Sequence, residues 1–327
     1  MNVDELTDII SHAGEAFQAA KKEISKVIVG QTAMIDRLFI ALLADGHILL
    51  EGLPGLAKTM AVNSLAKVIQ CDFKRIQFTP DLLPADLIGT SIYNPKEGAF
   101  RVSKGPIFTN ILLADEINRA PAKVQSALLE VMQERQVTIG VKTFATGRPF
   151  LVLATQNPIE HEGTYPLPEA QTDRFMMKVR IDYPNQEEEK EIVHRMATLK
   201  EIPQAKPVLT AEEIIETRSV VNQVYIDHKV TDYILNIVFA TRKPEDFGID
   251  IGRLVMFGAS PRASIGFAIA AKAHAFLMGR AYVIPHDIKQ LAPDILRHRL
   301  RRTYEAEAEE VSPDDIVRII LDTIPVP

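Results

Sequence analysis

The fold is decided by the stretch GLPGLAKT, Gly52 to Thr59, and by the apolar run HILLE that precedes it, His47 to Glu51. An apolar strand, a glycine-bearing loop and a helix form the context of the phosphate-binding loop G-x-x-x-x-G-K-[ST]. The glycines let the backbone curl so that N–H groups face phosphate oxygens, and the helix beginning near Lys58 adds its positive end. Ala57 replaces the second glycine of the motif, and a tight strand-to-helix turn is the alternative interpretation.

Two side chains at the end of this stretch carry the expected chemistry. Lys58 is expected to reach the β- and γ-phosphates of a nucleotide, and the hydroxyl of Thr59 to ligate Mg²⁺. Ala57 suits such a loop if its backbone is right-handed, because alanine loses only the positive-φ region that glycine enters freely. One motif with one mismatch is a weak signal, so the interpretation depends on whether later motifs of the chain supply the remaining chemistry.

Length and composition indicate a globular protein of two domains. The chain has 327 residues, of which 46% are hydrophobic and 24% are charged. Its formal net charge of −6 gives no overall attraction to DNA or RNA, although a local basic channel is compatible with it. The single cysteine, Cys71, is expected to be a small core residue. No transmembrane or export segment is visible, which predicts a soluble, cytoplasmic protein.

From about residue 27 to residue 182, short apolar runs alternate with longer segments of helical period. Because the runs are apolar on both faces and are separated by helices, they predict a parallel sheet covered on both sides. The predicted strands are His47–Leu50, Phe73–Phe78, Asn110–Asp115, Phe150–Thr155 and Met176–Ile181. The predicted helices between them include Lys58–Gln70 and Lys123–Glu134.

The chain from about residue 185 onward predicts a helical domain, because each helix opens with a capping residue or a proline. The predicted helices are Ala211–Val224, Val230–Thr241, Ser260–Met278, Pro285–Leu291 and Pro313–Thr323. We therefore expect an α/β domain over residues 1–184, including an N-terminal helix, and a smaller all-α domain over 185–327. The basic and acidic blocks of RHRLRRTYEAEAEE are interpreted as a solvated helix end.

Two further apolar strands end in polar side chains. ILLADEINRA brings Asp115 and Glu116 to the carboxyl end of its strand, where two acids are costly unless a cation or a substrate uses them. Asp115 is placed to hold Mg²⁺, usually through water, and Glu116 to polarise an attacking water. FLVLATQNP ends in Asn157, whose amide can orient water or touch the γ-phosphate, although Asn-Pro also simply ends strands.

Two arginines complete the pattern. Arg174 in EAQTDRFMMKV stands just before a strand, where it could project across a subunit boundary, and Arg262 in GASPRA opens a helix of the second domain. A guanidinium offers planar donors that suit phosphate oxygens and spread charge in a transition state. The alternative for either arginine is a surface salt bridge.

The motifs GLPGLAKT, ADEINRAPAKVQSALLEVMQE, ATQNP, LPEAQTDRFMM and GASPRA occur in this order, and the chain that carries them resembles the MoxR family of AAA+ ATPases. The resemblance covers nearly the whole chain, from Val27 through the helical domain, and five ordered motifs are together specific. Alanine is common in that family at the position of Ala57, so the mismatch to the general motif agrees with the resemblance.

The resemblance implies a P-loop AAA+ core with a parallel sheet flanked by helices, and a smaller all-α lid, with ATP and Mg²⁺ bound between them near a subunit interface. It implies a Walker A motif around Lys58, a Walker B motif at Asp115 and Glu116, and sensor 1 at Asn157. Thr59 and Asp115 are the expected metal ligands. The residues expected to contact the nucleotide are Val29, Gly30, Gly52, Pro54, Gly55, Leu56, Ala57, Lys58, Thr59, Met60 and Asp115.

The resemblance also implies roles for the two arginines, Arg174 and Arg262. Arg174 resembles an arginine finger supplied in trans to a neighbouring subunit, and Arg262 resembles sensor 2. Arg119, Arg148 and Arg180 remain alternatives for the finger. A finger in trans implies a homo-oligomer, a hexameric ring by analogy.

Two stretches resemble inserts that face the pore or a client in this AAA+ clade. Ser91–Ile107 has hairpin character around Asn94–Gly98 and resembles the helix-2 insert. Arg135–Phe150, with Gly140 near its bend, resembles the pre-sensor hairpin. Ordinary surface hairpins are the alternative for both.

The family resemblance implies an ATPase that remodels, matures or activates partner proteins, working with partners that carry von Willebrand factor A domains. A nucleic-acid motor is the alternative, and it would use Lys96, Arg101, Lys104 and Lys142 on the hairpins. The acidic net charge and the absence of an attached DNA-binding module disfavour it. A nucleotide switch without turnover is disfavoured because Glu116 is present.

Overall fold

The computed structural model describes residues 3–53, 55–96, 98–158, 164–197 and 203–327. Its helices are α1 (Val3–Ser25), α2 (Thr32–Leu43), α3 (Lys58–Val68), α4 (Pro84–Ile88), α5 (Ala122–Glu134), α6 (Glu169–Thr172), α7 (Gln186–Met196), α8 (Ala211–Gln223), α9 (His228–Ala240), α10 (Pro261–Leu277), α11 (Pro285–Leu296), α12 (Tyr304–Ala308) and α13 (Pro313–Thr323). Its strands are β1 (Ile48–Gly52), β2 (Phe73–Gln77), β3 (Gly89–Asn94), β4 (Ala99–Lys104), β5 (Ile111–Asp115), β6 (Gln136–Ile139), β7 (Lys142–Ala145), β8 (Leu151–Gln156), β9 (Met177–Ile181), β10 (Val255–Phe257) and β11 (Arg301–Arg302). In the described part of the chain, no helix has the length and apolar character needed to cross a membrane.

Five strands form a parallel sheet in the order β2-β5-β8-β1-β9, with helices flanking it. The register between β5 and β8 runs from Ile111 opposite Leu151 to Ala114 opposite Ala154. The apolar residues of β5, β8 and β1 are buried. A parallel strand covered on both faces needs apolar side chains on both faces, which explains the continuously apolar runs of the sequence. The predicted α/β fold is confirmed.

The edge strand β2 differs from the expectation that every strand is apolar on both faces. Lys74, Arg75 and Gln77 are exposed, because β2 pairs with β5 on one side only. Cys71, which shortly precedes this strand, is only half-buried, so the expectation of a core cysteine is wrong. The edge position lets β2 carry polar side chains at its carboxyl end.

Both predicted hairpins are confirmed. Strands β3 and β4 pair antiparallel, as do β6 and β7. Gly140 has φ 63° at the bend between β6 and β7, in the left-handed region where glycine is favoured. In the first hairpin Tyr93 lies opposite Phe100, and their exposed rings have centroids 5.3 Å apart.

The chain divides into two compact units. One comprises residues 19–174 and 179–215, and the other comprises residues 1–18, 175–178 and 216–327. The second unit contains four of the five predicted helices, as α9, α10, α11 and α13, and the boundary between the units falls within the fifth, α8. Phe17 packs edge-on against Phe276 of α10 with ring centroids 5.5 Å apart. The predicted domain boundary after residue 184 stays a prediction, since these units have other bounds.

The expectation that RHRLRRTYEAEAEE is a solvated helix end is wrong for its basic half, whereas the glutamates of its acidic half are exposed on and beside α12. Arg299 is buried and donates to the carbonyl oxygens of Phe175 (2.7 Å) and Met176 (3.1 Å). Burial lowers the pKa of His298 well below its usual value, and its Nε2 lies 3.0 Å from the Phe175 carbonyl oxygen. Buried basic side chains are tolerated here because backbone carbonyl groups accept their N–H donors.

Candidate functional site

The carboxyl ends of the parallel strands meet at one edge of the sheet. Gln77 of β2 lies opposite Asp115 of β5, and Thr155 of β8 lies opposite Leu50 of β1. Ligands of parallel α/β sheets bind at such an edge. A cavity of about 370 Å³ opens there, within the range of ~300–1,000 Å³ usual for ligand sites. It is lined by Gly55, Leu56, Ala57, Lys58, Thr59, Met60, Arg75, Asp115, Glu116, Thr155 and Asn157.

The loop between β1 and α3 curls through left-handed backbone conformations. Gly52 must be small, since a Cβ atom there would lie 2.8 Å from the carbonyl oxygen of Ile181. Gly55 has φ 86°, and Ala57 has φ 55° and ψ 17°. The condition under which Ala57 was expected to suit the loop without cost, a right-handed backbone, is therefore not met. A left-handed alanine costs about 1–2 kcal/mol, which other contacts of the loop must offset for α3 to begin at Lys58.

The ammonium group of Lys58 lies inside this loop. Its Nζ donates to the carbonyl oxygens of Gly52 at 2.5 Å and of Leu53 at 3.1 Å. Burial lowers the pKa of Lys58, and the charges of Asp115 and Glu116 raise it in part. The ammonium group of Lys58 and the two acids of the cavity therefore lie within electrostatic reach of one another.

Asp115 is held by donors on both carboxylate oxygens. Arg75 of β2 donates to Oδ2 through Nε at 3.0 Å and through Nη2 at 2.5 Å. The hydroxyl of Thr155 donates to Oδ1 at 2.5 Å. Strands on either side of β5 thus fix the orientation of this carboxylate.

Glu116 follows Asp115 in a left-handed conformation, with φ 55° and ψ 51°. Its backbone N–H donates to the Thr155 hydroxyl at 2.8 Å. Its Oε2 accepts from Gln77 Nε2 at 2.6 Å and from Arg119 Nη1 at 3.0 Å. The reversal of the backbone turns Glu116 toward the cavity rather than along the strand direction.

Comparison with known proteins settles the family. Residues 47–177 match the family described as "ATPase family associated with various cellular activities (AAA)", and residues 251–320 match the AAA lid domain. The sequence is 53% identical to Chaperone MoxR1 of Mycobacterium tuberculosis, over 93% of this chain and 81% of that protein. It is 32% identical to Protein MoxR of Methylorubrum extorquens, over 94% of each. The chain belongs to the MoxR family of AAA+ ATPases.

A solved structure agrees with this membership. The crystal structure of a proposed ATPase from Cytophaga hutchinsonii superimposes with a TM-score of 0.92 at 50% sequence identity. The match covers 99% of this chain and 98% of that one. The α/β core and helical lid of this MoxR-family chain are therefore those of a known ATPase-like architecture.

Most of the residues predicted for the nucleotide lie together in this MoxR-family chain. Those that line the cavity are Gly55, Leu56, Ala57, Lys58, Thr59, Met60, Asp115, Glu116 and Asn157. Gly52 contributes its carbonyl group to Lys58. Pro54 lies outside the described residues.

Besides Gly52, four predicted residues are not among those that line the described part of the cavity. Val29 and Gly30 are half-buried in the segment before α2, where a Cβ atom on Gly30 would lie 2.5 Å from Oε1 of Glu188. Arg174 is half-buried after α6. Arg262 is exposed in the first turn of α10, in the other compact unit, and its backbone N–H donates to the Ser260 hydroxyl at 3.2 Å.

The sequence reasoning missed four side chains that contact the acids. Arg75 and Thr155 line the cavity, and Gln77 and Arg119 hydrogen-bond Glu116. The sequence could have predicted Arg75, Gln77 and Thr155, because polar side chains near the carboxyl ends of neighbouring parallel strands lie close to Asp115. Arg119 was considered only as an alternative finger, whereas in the structure it contacts an acid of its own chain.

The donor set fits a nucleotide carried with Mg²⁺. Mg²⁺ is usually bound through one or two carboxylates together with substrate phosphates and several waters. Thr59 and Asp115, which both line the cavity, offer one hydroxyl and one carboxylate beside the loop and Lys58. A cavity with this lining suits an anionic ligand that brings further oxygen atoms with it.

Proposed function

We propose that this MoxR-family chain hydrolyses ATP, and that hydrolysis drives chaperone-like remodelling, maturation or activation of partner proteins. The observation that carries the first part is the gathering of Lys58, Asp115, Glu116 and Asn157 around one cavity. These side chains supply the cation, the metal ligand, the base and the polar group that transfer of a phosphoryl group to water requires.

Each side chain has a defined task in this proposal. Lys58 and the N-terminal end of α3 bind phosphate oxygens, because both present positive charge or N–H donors to the cavity. Glu116 accepts a proton from the attacking water or orients that water, and Asn157 holds the same water or the γ-phosphate. Thr59 and Asp115 would hold Mg²⁺, which when bound neutralises charge on the β- and γ-phosphate oxygens.

We propose that the working form is a homo-oligomer, a hexameric ring. Arg174 would serve as the arginine finger of a neighbouring site and Arg262 as sensor 2, while Val29 and Gly30 would contact adenine. In the described part of the chain Arg174 is not among the residues that line its own cavity, which is compatible with service to a neighbour. A guanidinium supplied in trans typically accelerates phosphoryl transfer by ~10³–10⁵.

The remodelling part of the proposal is supported by the relative from Mycobacterium tuberculosis, which is named a chaperone. The exposed rings of Tyr93 and Phe100, which are 52% and 71% exposed, offer an apolar contact for a protein client. A partner that carries a von Willebrand factor A domain and a cytoplasmic location stay predictions by family resemblance.

The nucleic-acid motor has less support in the structure. Its predicted contacts include Lys104, whose Nζ lies 4.8 Å from the ring centroid of Phe108 and 4.9 Å from that of Phe144. A cation held over two aromatic rings is partly engaged within its own chain. Salt-sensitive binding of DNA at physiological ionic strength would restore this alternative.

The proposed hydrolysis is tested with Glu116→Gln and Lys58→Ala, each measured for nucleotide binding and for phosphate release. We expect Glu116→Gln to bind ATP while nearly abolishing hydrolysis, and Lys58→Ala to lose the nucleotide. Hydrolysis by Glu116→Gln at the parent rate would refute the assignment of the base.

The proposed ring is tested by steady-state hydrolysis against protein concentration, with Arg174→Ala alongside. A specific rate that rises with concentration, and that collapses in Arg174→Ala while nucleotide still binds, would support a site shared between subunits. A rate independent of concentration and unaffected by Arg174→Ala would exclude this finger and the shared site.

A further inference from the structure

Asp115, which the proposed function assigns to Mg²⁺, already has a cationic partner. The guanidinium of Arg75 donates two N–H groups to the same carboxylate oxygen, Oδ2, at 3.0 and 2.5 Å. The hydroxyl of Thr155 donates to the other oxygen, Oδ1, at 2.5 Å and takes one of its two lone pairs. An oxygen that accepts two N–H groups has no lone pair left for a metal or a metal-bound water.

We propose that Arg75 is a counter-ion of Asp115, and that a divalent cation must displace its guanidinium in order to use Oδ2 of this carboxylate. The inference rests on the proposed function, because it takes the divalent cation to arrive with the nucleotide at Asp115. Arg75 and the cation compete for one carboxylate, and two positive centres a few ångströms apart repel each other strongly in a partly buried site.

The position of Arg75 makes displacement feasible. The side chain is 48% exposed, whereas that of Asp115 is 13% exposed, so the arginine can swing into solvent and the carboxylate stays in place. Arg75 is near the carboxyl end of the edge strand β2, and within the described part of the chain no further strand of the sheet lies beyond it to restrain the side chain. A contact to Gln77 Oε1, at 3.1 Å from Nη2, holds the guanidinium in the position seen here.

The competition has a measurable consequence. A half-exposed ion pair such as Arg75–Asp115 contributes little free energy. Its loss on binding of the cation should therefore make the Mg²⁺ concentration needed for nucleotide binding about twofold to fivefold higher than in a chain without the guanidinium. Removing the guanidinium should lower that concentration by the same factor. A residue that only stabilised the fold would change the thermal midpoint and leave the Mg²⁺ dependence as it was.

The experiment titrates Mg²⁺ into the full chain with a fluorescent, non-hydrolysable ATP analogue and records the Mg²⁺ concentration at half-maximal binding. Arg75→Gln is compared with the parent and with Lys74→Gln, which removes the same charge from the neighbouring position on the opposite face of β2. We expect the Mg²⁺ midpoint to fall about twofold to fivefold in Arg75→Gln and to stay unchanged in Lys74→Gln. Arg75→Lys keeps the charge without the planar fork, and its midpoint should lie between those of the parent and Arg75→Gln.

Any other result of this titration contradicts either the proposed competition or the proposed function on which it rests. A midpoint that is unchanged in Arg75→Gln, or that shifts equally in Lys74→Gln, overturns the competition. Loss of binding at saturating Mg²⁺ in a folded Arg75→Gln shows that Arg75 contacts the nucleotide, which also overturns it. If the parent binds no nucleotide at any Mg²⁺ concentration, the proposed function itself fails, and that result is distinct from the other two. Arg75→Lys supplies the same readout if Arg75→Gln does not fold.

Discussion

The Thr155 hydroxyl is the contact whose removal gives the sharpest prediction. It donates to Asp115 Oδ1 at 2.5 Å and accepts the backbone N–H of Glu116 at 2.8 Å, and the residue is only 1% exposed. Valine has nearly the same shape and lacks the oxygen. Thr155→Val therefore removes both hydrogen bonds with little change in packing.

The size of the effect is set by those two bonds. A hydrogen bond to a charged group contributes about 1.5–3 kcal/mol, and a buried N–H left without an acceptor costs about 1–3 kcal/mol. The bonds share one oxygen, so their contributions do not add fully. We expect Thr155→Val to lower the free energy of unfolding by about 2–4 kcal/mol. Thr155→Ser keeps the hydroxyl and loses a methyl group, for about 1 kcal/mol.

The two variants are compared by urea unfolding and by binding of a fluorescent ATP analogue. Because Thr155 also fixes the left-handed turn at Glu116, Thr155→Val should weaken hydrolysis more than it weakens binding, and Thr155→Ser should retain both. Equal stability of the Val and Ser variants, with parent-like hydrolysis in each, would refute the role given to the hydroxyl.

Three further predictions concern backbone strain, a buried amide and a buried acid. Ala57 has φ 55°, so in urea unfolding Ala57→Gly should leave the free energy of unfolding unchanged or raise it. Ala57→Val should lower that free energy by more than about 1 kcal/mol, because a β-branched side chain is disfavoured at positive φ. A Gly variant less stable than the Val variant would refute the claim that the backbone is strained at Ala57. Gln125 is fully buried, and its Nε2 donates to the carbonyl oxygens of Ile117 (3.2 Å), Ala120 (3.0 Å) and Tyr165 (2.9 Å). Gln125→Glu should therefore lower the free energy of unfolding in urea more than Gln125→Leu does, since a carboxylate would face carbonyl oxygens. Burial opposes the charge of Asp287, but hydrogen bonds from His274, Arg280 and the Ile284 N–H hold its pKa at about 2. A lowered pKa stabilises the fold above the unfolded value of about 3.9, and this stabilisation is lost as pH falls toward about 2, so the stability difference between the parent and Asp287→Asn should narrow from about pH 5 to about pH 3.

The sequence predicted the elements of the fold better than the contacts of the site. Apolar runs and helical periods are local patterns, and they located the buried strands of the sheet and the loop that ends at Lys58. The positive φ of Ala57 was missed because an alanine gives no local sign of a left-handed backbone, as a glycine would. The burial of Arg299 was missed because its acceptors, the carbonyl groups of Phe175 and Met176, lie far away in the sequence.

The contacts of Asp115 and Glu116 depend on more than local patterns. The register between parallel strands determines which strand-end residues reach the two acids, and no single stretch of sequence contains that register. Gln77 lies opposite Asp115 and yet hydrogen-bonds Glu116. The backbone at Glu116 is left-handed after the strand, a change of direction that the register of β2 and β5 alone does not predict.

One oxygen atom links the two acids of the site. Thr155 Oγ1 donates to Asp115 and accepts from the backbone of Glu116, so a shift of the Asp115 carboxylate changes the acceptor available to the Glu116 N–H. Arg75 and Gln77 form a second link, because Arg75 donates both to Asp115 and to Gln77, which in turn donates to Glu116. The proposed metal ligand and the proposed base are therefore joined through both neighbouring strands. A ligand that displaces Arg75 from Asp115 would also remove the contact of Arg75 with Gln77, which is a partner of Glu116. We therefore expect occupation of the site to affect the orientation of the proposed base.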